Sequence, residues 1–306
     1  MTMDLSKQDT LVSVIVVTYN SSATVIETLD SIRQQTYENI ELVISDDCSK
    51  DDTVVVCSEW LDKNKDRFVG VELLTIGHNT GVCANFNRAI AVAKGEWIKI
   101  IAGDDILLQN CINDYIAFIC ANPEAKWASS YIRKYNNNFQ EKNCIARRHS
   151  MVPSFFDLDI SGQLKLMARQ CVLYAPSLFI NAAMLKSIGG FDESYVAEDY
   201  PFYINALENG YKCYFLNKET VGYRIHTSLC RGQNVLFNAF FKNQMRRFKK
   251  EKCFKYLSAW EKYGVKLLWI TDDTFEKLHL NRNRRFLAHL YFFSQSLVYH
   301  VFGVSY

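Results

Sequence analysis

The chain has 306 residues, 49% of them hydrophobic and 22% charged, which supplies apolar material for one large domain or a domain with an appendage. A formal net charge of +2 carries no message about nucleic acid by itself, so any electrostatic signal lies in local clusters. The ten cysteines are scattered, with no C-x-x-C pair and no Cys/His array of zinc spacing, which excludes a zinc module and reads as free thiols in a reducing cytoplasm.

The opening "MTMDLSKQDT" is polar and has no signal-peptide pattern. "LVSVIVVTYN" (11–20) is β-branched, uncharged and ends in turn-forming residues, the pattern of a buried strand. Val25, Ile26, Leu29 and Ile32 then fall at helical spacing behind Asn20, Ser21 and Ser22 as cap candidates. "IELVISDD" (40–47) repeats the strand pattern, and Ser49 with Asp52 reads as a capping box for a second helix carrying Val55, Trp60 and Leu61. "VGVELLTI" (69–76) predicts a third strand, and "NTGVCANFNRAIAVAKG" (79–95) a third helix stopped by Gly95. "EWIKIIAGDD" (96–105) predicts a fourth strand that runs out into two adjacent carboxylates.

Strand and helix alternate with short links, which implies βαβ units and a parallel sheet. Ligands of such sheets bind beyond the carboxyl ends of the strands. That rule selects Thr18-Tyr19-Asn20, Asp46-Asp47, His78-Asn79 and Asp104-Asp105 for one rim. Like charges side by side repel by roughly 1 kcal/mol at 4 Å in water and more in a shielded site, so the acidic groups argue for a cation and a polyhydroxylated or phosphorylated ligand. No G-x-G-x-x-G follows the first strand and no P-loop pattern occurs, which disfavours a dinucleotide enzyme and a P-loop NTPase.

Past residue 106 a helix is predicted over 109–121, a strand over 126–135 and a mobile polar loop over 136–150. "SIGGFDESYVAEDYPFYINALENGYK" (187–212) has a glycine break, the acidic pair Glu198-Asp199 and a helix ending at Gly210; "CYFLNKETVGYRIH" (213–226) holds one or two strands and delivers His226. From about residue 233 aromatic residues interleave with Lys and Arg, and the uncharged tail 286–306 is long enough to span a membrane but is interrupted by two His and several polar residues.

"VSVIVVTYN", "ELVISDDCSKDDT", "NTGVCANFNRAI", "GEWIKIIAGDDIL", "GGFDE", "AEDYPFYINAL" and "YRIH" occur in the order found in family 2 glycosyltransferases, and residues 11–228 resemble that family. The resemblance implies an α/β fold of GT-A (Rossmann-like) type, a mostly parallel central sheet flanked by helices. It divides the chain into a transferase domain over 1–230, with a nucleotide-binding half (11–106) and an acceptor half (107–230), and a helical, basic and aromatic C-terminal extension over 231–306. Val17, Thr18 and Tyr19 would line the base pocket of a nucleotide sugar, Asp47 would accept from a uracil ring, and Asn79 would join the donor site unless it is only an N-cap. Asp105 would bind Mn²⁺ or Mg²⁺, with Asp104 facing the ribose or the same ion. Asp199 would be the catalytic base. His226 matches the family's "YR-x-H" histidine, placed near the diphosphate or on the metal, with a purely structural role as its alternative.

The chemistry is coherent without the label. A divalent ion on hard oxygen ligands stabilises a departing diphosphate, and a base opposite takes the acceptor proton. One base and no protein nucleophile gives single displacement with inversion. The pattern departs from the family where its arginine is replaced around Asn85-Phe86, leaving Arg88 to supply a diphosphate contact, if any; no "Q-x-x-R-W" motif of processive synthases follows. The expected reaction moves one hexose or N-acetylhexosamine from a UDP-sugar to a saccharide acceptor on a polyprenyl diphosphate, in O-antigen or capsule assembly. The expected place is the cytoplasm, peripheral on the inner face of the cell membrane, through an amphipathic C-terminal region whose aromatics otherwise simply pack on the catalytic domain. No motif supports nucleic-acid binding. The rival readings are a sugar-phosphate nucleotidyltransferase, and a nucleotide-binding membrane scaffold without catalysis.

Overall fold

A computed structural model describes residues 10–149, 152–225 and 235–305. The first elements alternate as the hydrophobic pattern requires: β1 (Val12–Thr18), α1 (Val25–Arg33), β2 (Ile40–Asp46), α2 (Thr53–Asn64), β3 (Gly70–Leu74), α3 (Val82–Val92) and β4 (Trp97–Ala102). Then follow β5 (Ile106–Leu107), α4 (Cys111–Ala121), β6 (Trp127–Asn136), β7 (Cys144–His149), α5 (Ile160–Arg169), β8 (Phe179–Asn181), α6 (Ala182–Ser187), α7 (Asp199–Glu208) and β9 (Tyr214–Ile225). Helices α8 (Ala239–Phe248), α9 (Ala259–Lys277) and α10 (Arg285–Phe302) complete the described chain.

The strands form one sheet in the order β3-β2-β1-β4-β8-β6-β9-β5, with β7 attached to β6. β1 pairs in parallel with β2 and β4, and β2 with β3, so Thr18, Asp46 and Ala102 end at one rim and the order reverses beside β1. β8 runs antiparallel to β4 and to β6, and β9 is parallel to β6, which brings the end of β9 at Ile225 to that same rim. This is the α/β architecture expected, a mainly parallel sheet with helices on its faces. Every residue of β1 and β2 is buried, as strands covered on both sides must be. Trp97, Phe179 and Tyr115 stack at 5.1 and 4.7 Å between centroids, tying β4, β8 and α4 into the core.

Several local expectations are corrected. Ser49 and Asp52 form no capping box: α2 starts after Asp52 without a side-chain cap, and Ser49 instead donates to Asp46. Asp51 does the local work, accepting from the Thr53 N–H at 3.1 Å. Val55 is 56% exposed, while Trp60 and Leu61 are buried. Gly95 does not stop α3, which ends at Val92 with Ala93 already extended. It is required by space: a Cβ there would lie 2.4 Å from the Ser13 nitrogen. The segment read as a mobile loop contains β7, antiparallel to β6.

The described residues within 10–157 and 173–225 form one compact unit, and those within 158–172 and 235–305 form another. In the second, Ser258 and Glu261 make a true capping box at the start of α9, and Arg169 pairs with Glu261. α10 folds back antiparallel on α9: the Tyr291 hydroxyl donates to buried Asp272 at 2.6 Å, and Phe302 sits where a Cβ on Gly264 would be, 2.4 Å away. Among the described residues no helix is long and apolar enough to cross a membrane.

Candidate active site

The rim is assembled by side chains that follow the parallel strands. After β1 the chain turns through Asn20, whose φ of 52° is left-handed, a conformation Asn tolerates. The Asn20 N–H donates to the Ser49 hydroxyl and its side-chain oxygen accepts from the Lys50 N–H, both at 2.8 Å, so the loops after β1 and β2 hold each other. Thr18 is buried, with its hydroxyl on Asp46 at 2.8 Å, and Val17 is buried as well. Of the three residues expected to line a base pocket, Tyr19 alone presents an open ring, 49% exposed.

Asp47 is buried and organises the entry to α3. Its carboxylate accepts from the Thr80 N–H (2.9 Å), the Thr80 hydroxyl (2.6 Å), the Gly81 N–H (2.7 Å) and the Arg88 guanidinium (3.2 Å). Burial pushes its pKa up, but the hydrogen bonds from Thr80, Gly81 and Arg88 outweigh that and hold it below the usual carboxylate value. Arg88 also donates to the hydroxyl of Ser45 and to the side-chain oxygen of Asn85, so its guanidinium is engaged inside the rim. Asn79 is not an N-cap, because α3 begins after Gly81 at φ 90°; its amide reaches the Asp47 carbonyl at 3.4 Å.

Asp104 and Asp105 occupy the turn between β4 and β5. Gly103 permits that turn, since a Cβ would come within 3.0 Å of Thr18. Asp105 is buried; its side chain accepts from the Arg224 N–H at 2.8 Å and its carbonyl from the Thr28 hydroxyl at 2.7 Å. The buried Arg224 guanidinium donates to the Asp104 carbonyl at 2.8 Å, to the Asn137 carbonyl and to Glu27, and lies 4.3 Å from the Phe139 ring centroid. Sequence reading quoted Arg224 within "YRIH" but gave it no role. It is the residue that ties β9, α1 and the segment after β6 to the paired carboxylates. The expected partner His226 lies outside the described residues.

The two adjacent carboxylates supply hard oxygen donors at a strand end, a donor set that fits Mn²⁺ or Mg²⁺ completed by phosphate oxygens or water. Among the described residues no cluster of three or more His, Cys, Asp or Glu is gathered as a metal group.

Glu198 and Asp199 open α7, whose first turn favours negative charge. The preceding loop is docked on α3: the Asn87 amide donates to the Phe191 carbonyl at 2.8 Å, Phe86 and Phe191 rings meet at 5.4 Å, and the Cys83 thiol reaches the Tyr195 carbonyl. The acidic pair is close enough to Cys83 for its charge to help burial push that thiol up to about 12. The loop that leads into the pair thus lies against the first two turns of α3, whose N-terminus Asp47 holds. Burial, then the Asp199 charge, pushes Glu198 up to about 8; burial raises Asp199 too. A cleft of about 510 Å³ lined by Phe118, Phe156, Lys212 and Tyr214 opens at the start of β9, the far end of the sheet, and takes no part in this site.

A mainly parallel sheet with a loop-built acidic rim at the strand carboxyl ends defines an α/β protein that takes its ligand at that edge. The family model described as Glycosyl transferase family 2 matches residues 13–171, and the chain belongs to this family. It is a glycosyltransferase, and the nucleotidyltransferase alternative is set aside. An Escherichia coli relative, the UDP-Glc:alpha-D-GlcNAc-diphosphoundecaprenol beta-1,3-glucosyltransferase WfaP, is 28% identical over 74% of this chain and 85% of its own. The S. aureus TarS 1-349 structure in complex with UDP-GlcNAc superposes with a TM-score of 0.60 at 18% identity, over 95% of this chain and 81% of that one. The Pyrobaculum calidifontis mannosyltransferase PcManGT, solved with GDP-Man and Mn2+, gives 0.51 at 21% identity, over 72% and 57%. These two likenesses establish the fold.

Proposed function

We propose that this enzyme transfers one hexose or N-acetylhexosamine from a UDP-sugar to a saccharide on a polyprenyl diphosphate, with inversion, in the assembly of a surface polysaccharide such as O-antigen or capsule. The geometry that supports the reading is a rim at the strand carboxyl ends with the open ring of Tyr19 and the adjacent Asp104 and Asp105, and the loop leading to Glu198 and Asp199 docked on α3. WfaP, by its name, uses UDP-glucose and a diphosphoundecaprenol-linked acceptor, which supports the donor and the acceptor class. Peripheral attachment to the inner face of the cell membrane would give access to such an acceptor.

In this reading Tyr19 packs against the base, and the Asp47–Thr80–Gly81–Arg88 network keeps the surrounding loops in place. Asp105, with Asp104 beside it, would hold Mn²⁺ or Mg²⁺, with His226 as a further ligand or diphosphate contact; such an ion would supply positive charge to a departing UDP. Arg224 fixes the turn that carries both carboxylates. Asp199 accepts the proton of the acceptor hydroxyl as the new C1–O bond forms and the C1–O bond to diphosphate breaks. Its neighbour Glu198 holds the first shared proton, leaving Asp199 ionised near neutral pH.

Calorimetric titration of UDP with Mn²⁺, then with EDTA, tests the donor site. Binding that requires the ion and disappears in Asp105→Ala is the expected result. Equal binding in EDTA and in the variant would overturn the metal assignment, and no binding of UDP would overturn the donor.

A further inference from the structure

Helix α10 has two apolar faces, and only one is used. Tyr291 and Val298 are buried against α9. Phe286, Leu290, Phe293, Leu297 and Val301 recur at spacings of 3 and 4, so they share one side of the helix, and all are exposed, Phe286 by 76% and Phe293 by 67%. On α9, Trp260, Tyr263 and Ile270 are likewise exposed. Trp260 and Tyr263 touch the Phe302 ring, at 4.5 and 5.8 Å between centroids, and the Trp260 indole N–H reaches the Val301 carbonyl, which packs the start of α9 on the last turn of α10. The hairpin thus exposes an unbroken row of five large apolar side chains along α10, the kind of face that marks an interaction site.

The charge beside it selects the occupant. Residues 235–306 carry 13 Lys and Arg against five Asp and Glu, which leaves 1–234 with a net charge of −6 although the whole chain is +2. Arg282, Arg284 and Arg285 lie immediately before Phe286, while residues 286–306 contain no Asp, Glu, Lys or Arg. A bilayer with anionic headgroups accepts both parts, rings and aliphatic chains in the interface and arginines on phosphates.

We infer that the α9–α10 hairpin is an interfacial lipid-binding element, lying in the headgroup region of an anionic membrane with the Phe286–Val301 row inserted and the 282–285 arginines on lipid phosphates. It does not cross: α10 keeps its other face on α9. The inference deepens the lipid-linked acceptor reading and rests on it for its purpose, while its evidence comes from a different part of the chain.

The test is flotation of the full chain with vesicles of phosphatidylcholine alone or mixed with phosphatidylglycerol, at low and high salt. Leu290→Ser/Phe293→Ser/Leu297→Ser changes exposed side chains only, and Arg284→Ala/Arg285→Ala removes charge only. Flotation confined to the anionic vesicles, weakened by salt and lowered at least tenfold in each variant, is expected. Equal flotation on both vesicle types, or unchanged flotation of the apolar variant, would overturn it. So would a wild-type dimer by light scattering that the apolar variant dissolves, because a second copy would then own the face. UDP calorimetry on the same variants keeps the two proposals apart: they should bind UDP as the wild type does, so loss of flotation with retained binding tests the hairpin alone.

Discussion

The paired acids at the start of α7 are the groups we propose for the base. Both are half-buried, and both are pushed upward, Glu198 to about 8. A base must be ionised to work, so kcat/KM should fall as pH drops through a range above that of ordinary carboxylates. Because Glu198 still holds its proton where Asp199 titrates, burial and not a like charge raises the base, and Glu198→Gln is expected to leave the acidic limb in place while activity is kept. A limb that moves to lower pH in the variant would show that a charged Glu198 raises the base and would overturn the assignment of the shared proton to Glu198. The doublets Asp104-Asp105 and Glu198-Asp199 were visible in the sequence as like charges side by side, although the second also suits a helix N-terminus. Arg224 was not, because its partners Glu27, Asp104 and Asn137 come from distant segments and leave no local spacing.

Among elements, the alternation through β4 was readable because strands buried on both faces are unbroken β-branched runs. What failed were local signals with long-range partners. Ser49 looks like a cap but serves Asp46 and Asn20 across the rim, and Gly95 looks like a helix stop but admits β1. β7 was missed since a polar edge strand owes its register to β6 and not to a hydrophobic pattern of its own. The Gly95 reading can be checked by thermal unfolding. Gly95→Ala forces a methyl group to within 2.4 and 2.6 Å of Ser13 backbone and hydroxyl atoms, and a loss of about 3 kcal/mol is expected. Gly77→Ala, where nothing lies within 4 Å, should change stability by less than about 0.5 kcal/mol. Equal, small effects of both would mean that β1 and the α3–β4 link separate easily.

Across the whole molecule, the buried titratable groups give stability an unusual dependence on pH. Each compact unit encloses one lysine. Lys99 donates to the carbonyls of Pro176 and Leu178, and Lys249 to those of Arg169 and Ser305. Burial pulls both down to about 8 from the ordinary 10.5. Between those values the unfolded chain binds more protons than the folded one, so stability rises with pH, by about 1 kcal/mol per lysine from about pH 8 to about pH 9. Glu198 acts in the opposite sense below that window: its folded pKa is raised, so the stability it contributes is present below 4.5 and lost as pH climbs to about 8. Above the ordinary thiol value of 9.0 the buried Cys57 and Cys83, pushed up to about 12, again favour the folded state only while protonated, and stability turns down as the unfolded thiols ionise. These signs together place a shallow minimum of stability near pH 8. Urea unfolding across the range should find it. Lys99→Met should flatten the rise in the unit holding the sheet, and Lys249→Met the rise in the helical unit. A stability that falls steadily from neutral pH upward would mean that the lysine amines keep their protons inside the fold, held by their carbonyl partners against the cost of burial.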